Sequence, residues 1–247
     1  MTERGDAAYG EDLAYVHDRG FGDLARHASG VVRDALAERD LRDGIVIDLG
    51  CGSGILAEEL TGAGFDVLGV DISEAMIEQA RRRTPRGRFV VGSAFSTPIL
   101  PCVAVTAIGE CFNYLFDASN DAAALRDLFA RVHEALRPGG VLVCDVATPG
   151  RAPNGEVLRV HSEGDDWAVL ATIEEDAASR TLTRRITTFR KDGEAFRRSR
   201  EVHRVRLIPE AELVDALERI GFEVRRLAGY GATPFPKGLV GVVARRG

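Results

Sequence analysis

The stretch IVIDLGCGSGIL, from Ile45 to Leu56, places three glycines at alternate positions between two apolar runs. Glycine loses more conformational freedom on folding than any other residue, so a simple turn would not require this many. An apolar run, a glycine turn and a second apolar run indicate a strand, a loop and the start of a helix. We expect the backbone amides of this loop to surround a ligand that lies directly against the main chain.

Outward from this loop, short apolar runs alternate with amphipathic segments between Gly44 and about Val146. Continuous apolar strands separated by helices are typical of a parallel sheet that helices cover on both faces. Two further strands, in FEVRRLAGY and LVGVVARR, follow a helix that has Pro209 in its first turn. The predicted fold class is α/β, with a doubly wound, mostly parallel sheet of seven strands and an antiparallel β insert.

The insert is predicted where the alternation of strands and helices stops. Three antiparallel strands are expected in DWAVLATIEED, RTLTRRITTFR and EAFRRSREVHRVRL, with Asp192-Gly193 as a hairpin turn. The predicted parts of the chain are a helical lid (residues 1–40), a cofactor-binding core (41–150 and 208–247) and the β insert, as a substrate cap or dimer contact (151–207).

Charge and composition limit the classes of partner. The formal net charge of −6 argues against nucleic acid as the main partner, because phosphate binding needs a positive field. The insert has many arginines, but its aromatics Phe189 and Phe196 are too few to stack bases. We expect these arginines on a solvated sheet face or in a homodimer contact: Arg180, Arg184, Arg185, Arg190, Arg197, Arg198, Arg200, Arg204 and Arg206.

The sequence carries no signal for a membrane or a metal. The segment MTERGDAAYG lacks the basic and apolar blocks of a signal peptide, and no apolar run approaches roughly 18 residues. The predicted location is therefore the cytoplasm. No metal site is predicted, because the four cysteines show no metal-ligand spacing and lie in apolar surroundings: Cys51, Cys102, Cys111 and Cys144.

Two acids follow the first two predicted strands and help to identify the ligand. A dinucleotide fingerprint would require glycine where the chain has Ile55, and no Gly-Lys-Ser/Thr follows for a Walker loop. Asp48 ends the first strand and Asp71 ends the second, so both lie at the same edge of a parallel sheet. A carboxylate at the second position can accept hydrogen bonds from vicinal ribose hydroxyls.

Together, VIDLGCGSG, VDIS and LRPGGVLVCDV resemble the class I S-adenosylmethionine-dependent methyltransferases of the small-molecule type, over about residues 40–150. The resemblance implies a Rossmann-like methyltransferase fold, with S-adenosyl-L-methionine as cofactor and S-adenosyl-L-homocysteine as product. It also implies that the glycines underlie the methionine part of the cofactor while Asp48 organises its amino group. In the same way, Asp71 would bind the ribose and Ile72 would pack on the adenine.

The third strand departs from the pattern of this family. Such proteins often carry aspartate there for the adenine amino group, whereas this chain has Ser93 followed by Ala94. A hydroxyl accepts that hydrogen bond more weakly than a carboxylate. The predicted cofactor-binding residues are Asp48, Gly50, Cys51, Gly52, Gly54, Asp71, Ile72, Ser93, Ala94 and Tyr15.

Candidate catalytic residues follow the fourth strand and lie in the N-terminal helices. In GECFNYLFD, we expect Glu110 to hold a cationic amine or act as a base, and Asn113 and Tyr114 to orient the substrate. In the lid, Tyr9 and Tyr15 are expected to close over the cofactor. His17 is a candidate base, and Gly20 and Gly22 supply a hinge.

The function that these patterns favour is methyl transfer to a nitrogen or oxygen of a small-molecule acceptor by in-line displacement. Holding nucleophile, methyl and sulfur in line supplies most of the rate gain in such a reaction. Two alternatives stay open: a protein that binds the same cofactor without transferring a methyl group, and an enzyme that uses the cofactor for non-methyl chemistry.

Overall fold

The computed structural model describes residues 9–152 and 155–247. In chain order its strands are β1 (Ile45–Leu49), β2 (Asp66–Asp71), β3 (Arg88–Val91), β4 (Cys102–Ala107), β5 (Leu136–Ala147), β6 (Val157–Gly164), β7 (Trp167–Asp176), β8 (Thr181–Asp192), β9 (Ala195–Arg206), β10 (Phe222–Leu227), β11 (Gly229–Tyr230), β12 (Thr233–Pro234) and β13 (Leu239–Arg246). Its α-helices are α1 (Glu11–Gly20), α2 (Asp23–Ala37), α3 (Ile55–Gly62), α4 (Glu74–Arg83), α5 (Ala122–Ala135) and α6 (Glu210–Ile220). None of these helices has the length and hydropathy needed to cross a membrane.

The central sheet has seven strands in the order β3-β2-β1-β4-β5-β13-β10. Neighbours from β3 to β5 pair in parallel, whereas β13 runs antiparallel to both β5 and β10. The predicted fold class is therefore confirmed. After β3 the chain crosses to the far side of β1 and continues as β4. Open α/β sheets bind ligands beside such a switch in strand order, at the carboxyl ends of the strands.

The apolar strands of the sequence lie in the interior of this sheet. All six residues of β4 are buried, and so are the last four of the five residues in β1. One apolar cluster packs α5 and α6 on one face of the sheet, through Phe129 and Leu217. A second cluster packs α2, α3 and α4 on the other face, through Leu36, Leu60 and Ile77. Burial on both faces explains why these strands read as unbroken apolar runs.

The insert is a four-stranded antiparallel sheet in the order β6-β7-β8-β9. Strand β6 was absent from the predicted set, because its sequence VLRVHSEG is polar and its side chains are mostly exposed at the sheet edge. The hairpin lies where predicted, with Asp192 paired to Ala195 and Gly193 at φ 63°. Near the C-terminus, the predicted strand FEVRRLAGY ends at Leu227, and β11 then pairs with β12.

Helix α1 packs against one face of the insert. Leu13 and Val16 of α1 form an apolar cluster with Trp167 and Val169 of β7. A Cβ added at Gly20 would lie 2.7 Å from the Trp167 ring, so this glycine permits close packing between helix and strand. The insert is also tied to the loop after β4, where Tyr114 forms a β-bridge with Val205 of β9. The insert and α1 together roof the carboxyl ends of the central strands.

Candidate active site

A cavity lies under this roof, where β1, β2 and β4 end. Its empty space, counted together with the solvent at its open mouth, is about 830 Å³. One part of its wall is the glycine loop with Asp71 and Ile72, and the opposite part comes from α1 and the loop after β4. The predicted site residues Gly50, Gly52, Ala94, His17 and Tyr114 also line it.

The amides of the glycine loop point away from the cavity. Gly50 and Cys51 donate to the carbonyl of Val70, at 2.7 and 3.0 Å, and Gly52 donates to Asp71 Oδ2 at 2.9 Å. The expectation that these amides surround a ligand was therefore wrong, because β2 and its terminal acid already accept their hydrogen bonds. The loop instead presents bare Cα surface to the cavity.

Gly52 and Gly109 both lack protein neighbours where a side chain would project. Their φ angles are 52° and 88°, and a Cβ at either residue would meet no protein atom within 4 Å. Because both residues line the cavity, added side chains would enter space that a ligand can fill. A Cβ at Gly50 would instead lie 2.5 Å from Cys111 Sγ, so this glycine also lets the loop after β4 approach.

Three of the predicted cofactor contacts lie behind the loop and do not line the cavity. Gly54 contacts α4, since a Cβ there would lie 3.0 Å from the Cα and Cβ of Ala80. The Cys51 thiol is buried against β2, and burial raises the pKa of this thiol well above its usual value. Asp48 accepts a hydrogen bond from Thr106 Oγ1 at 2.7 Å, and burial raises the pKa of Asp48 to about 7. These three residues support the conformation of the glycine loop and do not contact the cavity.

Asp71 is held rigidly at the end of β2. Its Oδ1 accepts from the amide of Ser73 at 2.8 Å, and its Oδ2 accepts from the amide of Gly52. Each carboxylate oxygen can accept a second hydrogen bond, so the group retains capacity for two hydroxyls. Burial raises the pKa of this carboxyl, while the Ser73, Gly52 and Ile72 amides oppose that shift.

Ser93 lies at the end of β3 beside a carboxylate from another loop. Its hydroxyl donates to Asp117 Oδ2 at 2.5 Å and accepts from the amide of Phe95 at 3.0 Å. Asp117, Ala94 and Phe95 line the cavity, whereas Ser93 lies behind them. The expected direct contact of Ser93 with a ligand was therefore wrong, because its proton and a lone pair already have partners within the protein.

Aromatic rings enclose the part of the cavity below α1. The hydroxyls of Tyr9 and Tyr114 are 2.9 Å apart, and Tyr114 stacks on Phe116 with ring centroids 4.8 Å apart. The His203 ring lies behind them, 4.9 Å from the ring of Tyr9. Burial raises the pKa of both tyrosines, so both hydroxyls are protonated at neutral pH.

His17 of α1 faces the same aromatic group. Its ring meets Tyr9 edge-on at 5.4 Å and stacks on Phe21 at 6.1 Å. Its buried Nδ1 has no hydrogen-bond partner among the residues that the structure describes. Burial lowers the pKa of His17 to about 4, so the imidazole is neutral at pH 7.

Residues 46–140, from β1 to the start of β5, match the family described as "Methyltransferase domain". The putative methyltransferase YqeM of Bacillus subtilis (strain 168) is 26% identical over 74% of this chain and 75% of its own length. A ubiquinone biosynthesis O-methyltransferase of Mesorhizobium japonicum is 32% identical over 56% of this chain and 51% of its own length. The chain contains a methyltransferase domain of the class I S-adenosylmethionine-dependent type over these residues. It spans only about half the length of the O-methyltransferase that it matches.

A solved methyltransferase has the same fold over its full length. The sugar N-methyltransferase KedS8 from Streptoalloteichus sp. superposes with a TM-score of 0.75 at 22% identity, covering 100% of this chain and 99% of that one. At this identity the likeness concerns the fold, including the β insert, and not the acceptor. Membership of the family implies that the methyltransferase uses S-adenosylmethionine.

The residues present fit that cofactor. The cavity offers bare backbone at Gly52 and Gly109, where an L side chain would fill the space. It offers the Asp71 carboxylate at the neighbouring strand end, with hydrogen-bonding capacity left on both oxygens. Beyond it lie the apolar side chains of Ile72 and Ala94, suited to a flat heterocycle. The Asp71 carboxylate matches a ribose diol, and the bare backbone leaves room for the rest of the cofactor.

Glu110 does not occupy the position expected of a base in this methyltransferase. It is 6% exposed and does not line the cavity. Its carboxylate forms ion pairs with Arg151 Nη1, at 2.8 Å, and with Arg184 of β8. Burial alone would raise its pKa, but Arg184 and Arg151 hold the pKa of Glu110 below its usual value. The expected substrate contact was wrong, because this charge is already balanced by two buried arginines.

Asn113 also has no side-chain group left for a substrate. Its Nδ2 donates to the carbonyls of Ala147 and Arg206, at 3.0 and 2.6 Å, and its Oδ1 accepts from the amide of Ala147 at 3.0 Å. The side chain therefore joins the central sheet to the insert. It supports the site without lining it, contrary to the expectation.

Tyr15 lies on the outer side of α1, away from the cavity. Its hydroxyl donates to Asp166 Oδ2 at 2.6 Å, and the guanidinium of Arg190 lies 3.9 Å from its ring centroid. The expectation that Tyr15 closes over the cofactor was wrong. Tyr9 precedes α1, whereas Tyr15 lies within the helix on a face that contacts the insert through Asp166 and Arg190.

Sequence reasoning missed three contributors to the site. Gly109 lies two residues after β4, as Gly50 lies directly after β1, and a glycine close to a strand end is a recognisable signal. Asp117 lies in the loop after β4, and no local sequence pattern indicates that this loop folds back onto the cavity. Arg184 and Arg190 lie on the same face of β8, and each forms ion pairs with residues outside the insert. Not all arginines of the insert therefore lie on a solvated face. In the described ranges, no group of three or more His, Cys, Asp or Glu side chains is arranged to hold a metal ion.

Proposed function

We propose that this methyltransferase binds S-adenosylmethionine in the cavity and transfers its methyl group to a nitrogen or oxygen of a small molecule. The observation that carries the proposal is the continuity of one cavity. It joins Gly52 and Asp71, which suit the cofactor, to the aromatic residues Tyr9, His17 and Tyr114. A donor and an acceptor bound in one enclosed space can be held in line for displacement.

The cofactor supplies a methyl group on a positively charged sulfur. Gly50 and Gly52 would lie under its amino-acid part, and Asp71 would accept hydrogen bonds from the ribose hydroxyls. Ile72 and Ala94 would contact the base. These roles are supported by the bare glycine surface and by the remaining acceptor capacity of Asp71.

The aromatic residues would position the acceptor. The faces of Tyr9 and Tyr114 attract cations and exclude water, and their linked hydroxyls can orient a polar group. His17 is neutral and its Nδ1 has no partner among the described residues, so this nitrogen can accept a hydrogen bond from an acceptor hydroxyl or amine and orient it. Glu110 has no direct role in this proposal, because its charge is balanced by Arg151 and Arg184.

Helix α1 would act as a lid that admits both substrates. Its start is tied to α4 by Ser73 Oγ, which donates to the Tyr9 carbonyl at 2.8 Å. It is tied to the insert by the amide of Gly10, which donates to Glu201 Oε1 at 3.0 Å, and by ion pairs of Arg197 with Glu11 and Asp12. The ion pairs of Arg197 are exposed and individually weak, which suits a lid that opens on each turnover.

The test is equilibrium dialysis of the purified chain with S-adenosylhomocysteine, followed by incubation of S-adenosylmethionine with a panel of small phenols, alcohols, amines and amino sugars. Wild type is expected to bind and to release S-adenosylhomocysteine with at least one acceptor. Binding with no turnover on any acceptor would favour the binding-only alternative. Methylthioadenosine as the by-product would favour non-methyl chemistry, and absence of binding would refute the proposal.

Asp71→Ala provides the matched variant. It removes a charged acceptor of two ribose hydroxyls, so we expect affinity for S-adenosylhomocysteine to fall by about 2–4 kcal/mol. Asp66→Ala, an exposed acid at the other end of the same strand, is the control and should bind as wild type does. Equal affinities of the two variants in calorimetry would remove the assigned role of Asp71. A homodimer through the insert and a cytoplasmic location stay predictions.

A further inference from the structure

Asp117 is a buried carboxylate that lines the cavity and that the sequence patterns did not indicate. It is 8% exposed and lies in the loop between β4 and α5. Among the described residues that line the cavity, the carboxylates are Asp71 and Asp117. Asp71 lies beside the glycine loop, so Asp117 is available to a different part of the same ligand.

Apolar side chains line the cavity together with Asp117, and we call the space between them the slot. Ile72, Ala94, Phe95 and Phe116 line the cavity with it, and all four side chains are apolar. A purine buried among them loses water from its polar edge, which then needs a partner within the protein. Asp117 offers that partner at the wall of the slot.

The carboxylate is fixed before any ligand binds. Oδ1 accepts from the amide of Ser119 at 2.9 Å, and Oδ2 accepts from the hydroxyl of Ser93 at 2.5 Å. The backbone of the same turn is closed by Asn120, whose amide donates to the Asp117 carbonyl at 2.9 Å. Each oxygen can still accept one further hydrogen bond. An ionised carboxylate is only an acceptor, so the fixed group selects a donor.

We propose that Asp117, oriented by Ser93, accepts a hydrogen bond from the exocyclic amino group of the cofactor's adenine and thereby selects adenine over bases that carry a carbonyl there. The inference rests on the proposed function, because it needs the cofactor in this cavity. Ser93 acts through Asp117: its hydroxyl joins the end of β3 to the loop after β4 and aims the carboxylate at the slot.

The Asp117→Asn variant reverses the hydrogen-bonding character of the group at nearly constant shape. The Ser119 amide needs an oxygen at Oδ1, so the amide nitrogen of the introduced asparagine takes the position of Oδ2 beside Ser93. A donor then faces the slot where an acceptor was. This donor opposes an adenine amino group and favours the carbonyl of hypoxanthine.

Calorimetry with S-adenosylhomocysteine and its hypoxanthine analogue, S-inosylhomocysteine, tests the inference. Wild type should prefer the adenine compound by at least about tenfold, as expected for one charged hydrogen bond. Asp117→Asn should bind S-adenosylhomocysteine about 10- to 100-fold more weakly and should narrow the preference to within about threefold or reverse it. Ser93→Ala should give an intermediate preference, because the carboxylate remains but is less firmly aimed.

Asp176→Asn is the matched control. Asp176 Oδ1 accepts from the amide two residues on, at 2.9 Å, and Oδ2 accepts from the hydroxyl of Ser179 at 2.8 Å. The same change is therefore made in the same kind of turn, at an exposed site away from the cavity. The preference for adenine should equal that of wild type.

The outcomes separate this inference from the proposed function. If wild type binds neither compound, the proposed function itself is refuted. If wild type binds S-adenosylhomocysteine but Asp117→Asn keeps the full adenine preference, Asp117 only stabilises its loop and the inference is overturned. Should the variant not fold, wild type is compared on an analogue whose purine has no 6-amino group; equal affinity for both compounds would overturn the inference as well.

Discussion

Gly52→Ala and Gly54→Ala make a matched pair that tests which surface of the glycine loop faces the ligand. Both residues have positive φ, 52° and 79°, so alanine is strained at either position. A Cβ at Gly52 would enter the cavity and meet no protein atom within 4 Å. A Cβ at Gly54 would lie 3.0 Å from Ala80 in α4, on the other side of the loop.

Gly54→Ala should mainly lower the stability of the fold, whereas Gly52→Ala should mainly weaken ligand binding. The left-handed backbone costs an L residue about 1–2 kcal/mol, and both variants should lose that much stability. Gly54→Ala should lose about a further 1–3 kcal/mol, because the added carbon overpacks α3 against α4. Gly52→Ala should instead weaken S-adenosylhomocysteine by about 1–3 kcal/mol, or roughly 5- to 150-fold, because the same overpacking falls on the ligand.

Urea unfolding and titration calorimetry measure the two quantities separately. Gly64→Ala is the control for strain alone, since Gly64 has φ 99°, no protein atom within 4 Å of an added Cβ and no part in the cavity wall. It should lose about as much stability as Gly52→Ala and bind normally. If Gly52→Ala binds as wild type does while Gly54→Ala loses affinity, the ligand lies on the other face of the loop and the reasoning fails.

Two further predictions concern buried charge. Burial lowers the pKa of His17 to about 4, so near pH 6.5 the unfolded chain binds a proton at this residue and the folded chain does not. The free energy of unfolding should therefore fall as the pH drops from 6.5 towards 4. Urea unfolding at several pH values should show a shallower fall for His17→Gln. Glu110→Gln should lower the free energy of unfolding by about 3–5 kcal/mol, because it leaves Arg151 and Arg184 without a buried counter-charge. Glu212→Gln, at an exposed ion pair with Arg180, should lower it by less than about 1 kcal/mol. Equal losses in the two variants would contradict the argument.

The fold could be predicted because its determinants are local. The strand IVIDL is apolar except for Asp48, and the helix after it begins at a glycine in the left-handed region. Ser73 and Asp121 cap α4 and α5 with their side chains, as their positions before apolar periods indicate. Strand β6 escaped prediction because an exposed edge strand carries no alternation of apolar and polar residues.

Parts of the candidate site could be predicted for the same reason. Asp71 and Gly52 lie next to each other because parallel neighbours end at one edge, and that follows from chain order alone. Tyr15 shows the limit of such reasoning. Its helix was predicted and its ring was expected near the cofactor, but the direction of the side chain depends on Asp166 and Arg190 of the insert, about 150 residues away or more along the chain.

Glu110 and Asp117 show most clearly why the remaining residues could not be assigned from sequence. Both are carboxylates in the short segment after β4, and both are buried. Nothing in the segment distinguishes them. Two arginines from outside it, Arg151 and Arg184, neutralise Glu110, whereas Ser93 and a backbone amide hold Asp117 without removing its charge. Side chains from distant parts of the chain therefore decide the chemical role of each carboxylate. Glu110, the acid that the pattern favours as a base, is the one whose charge is already balanced.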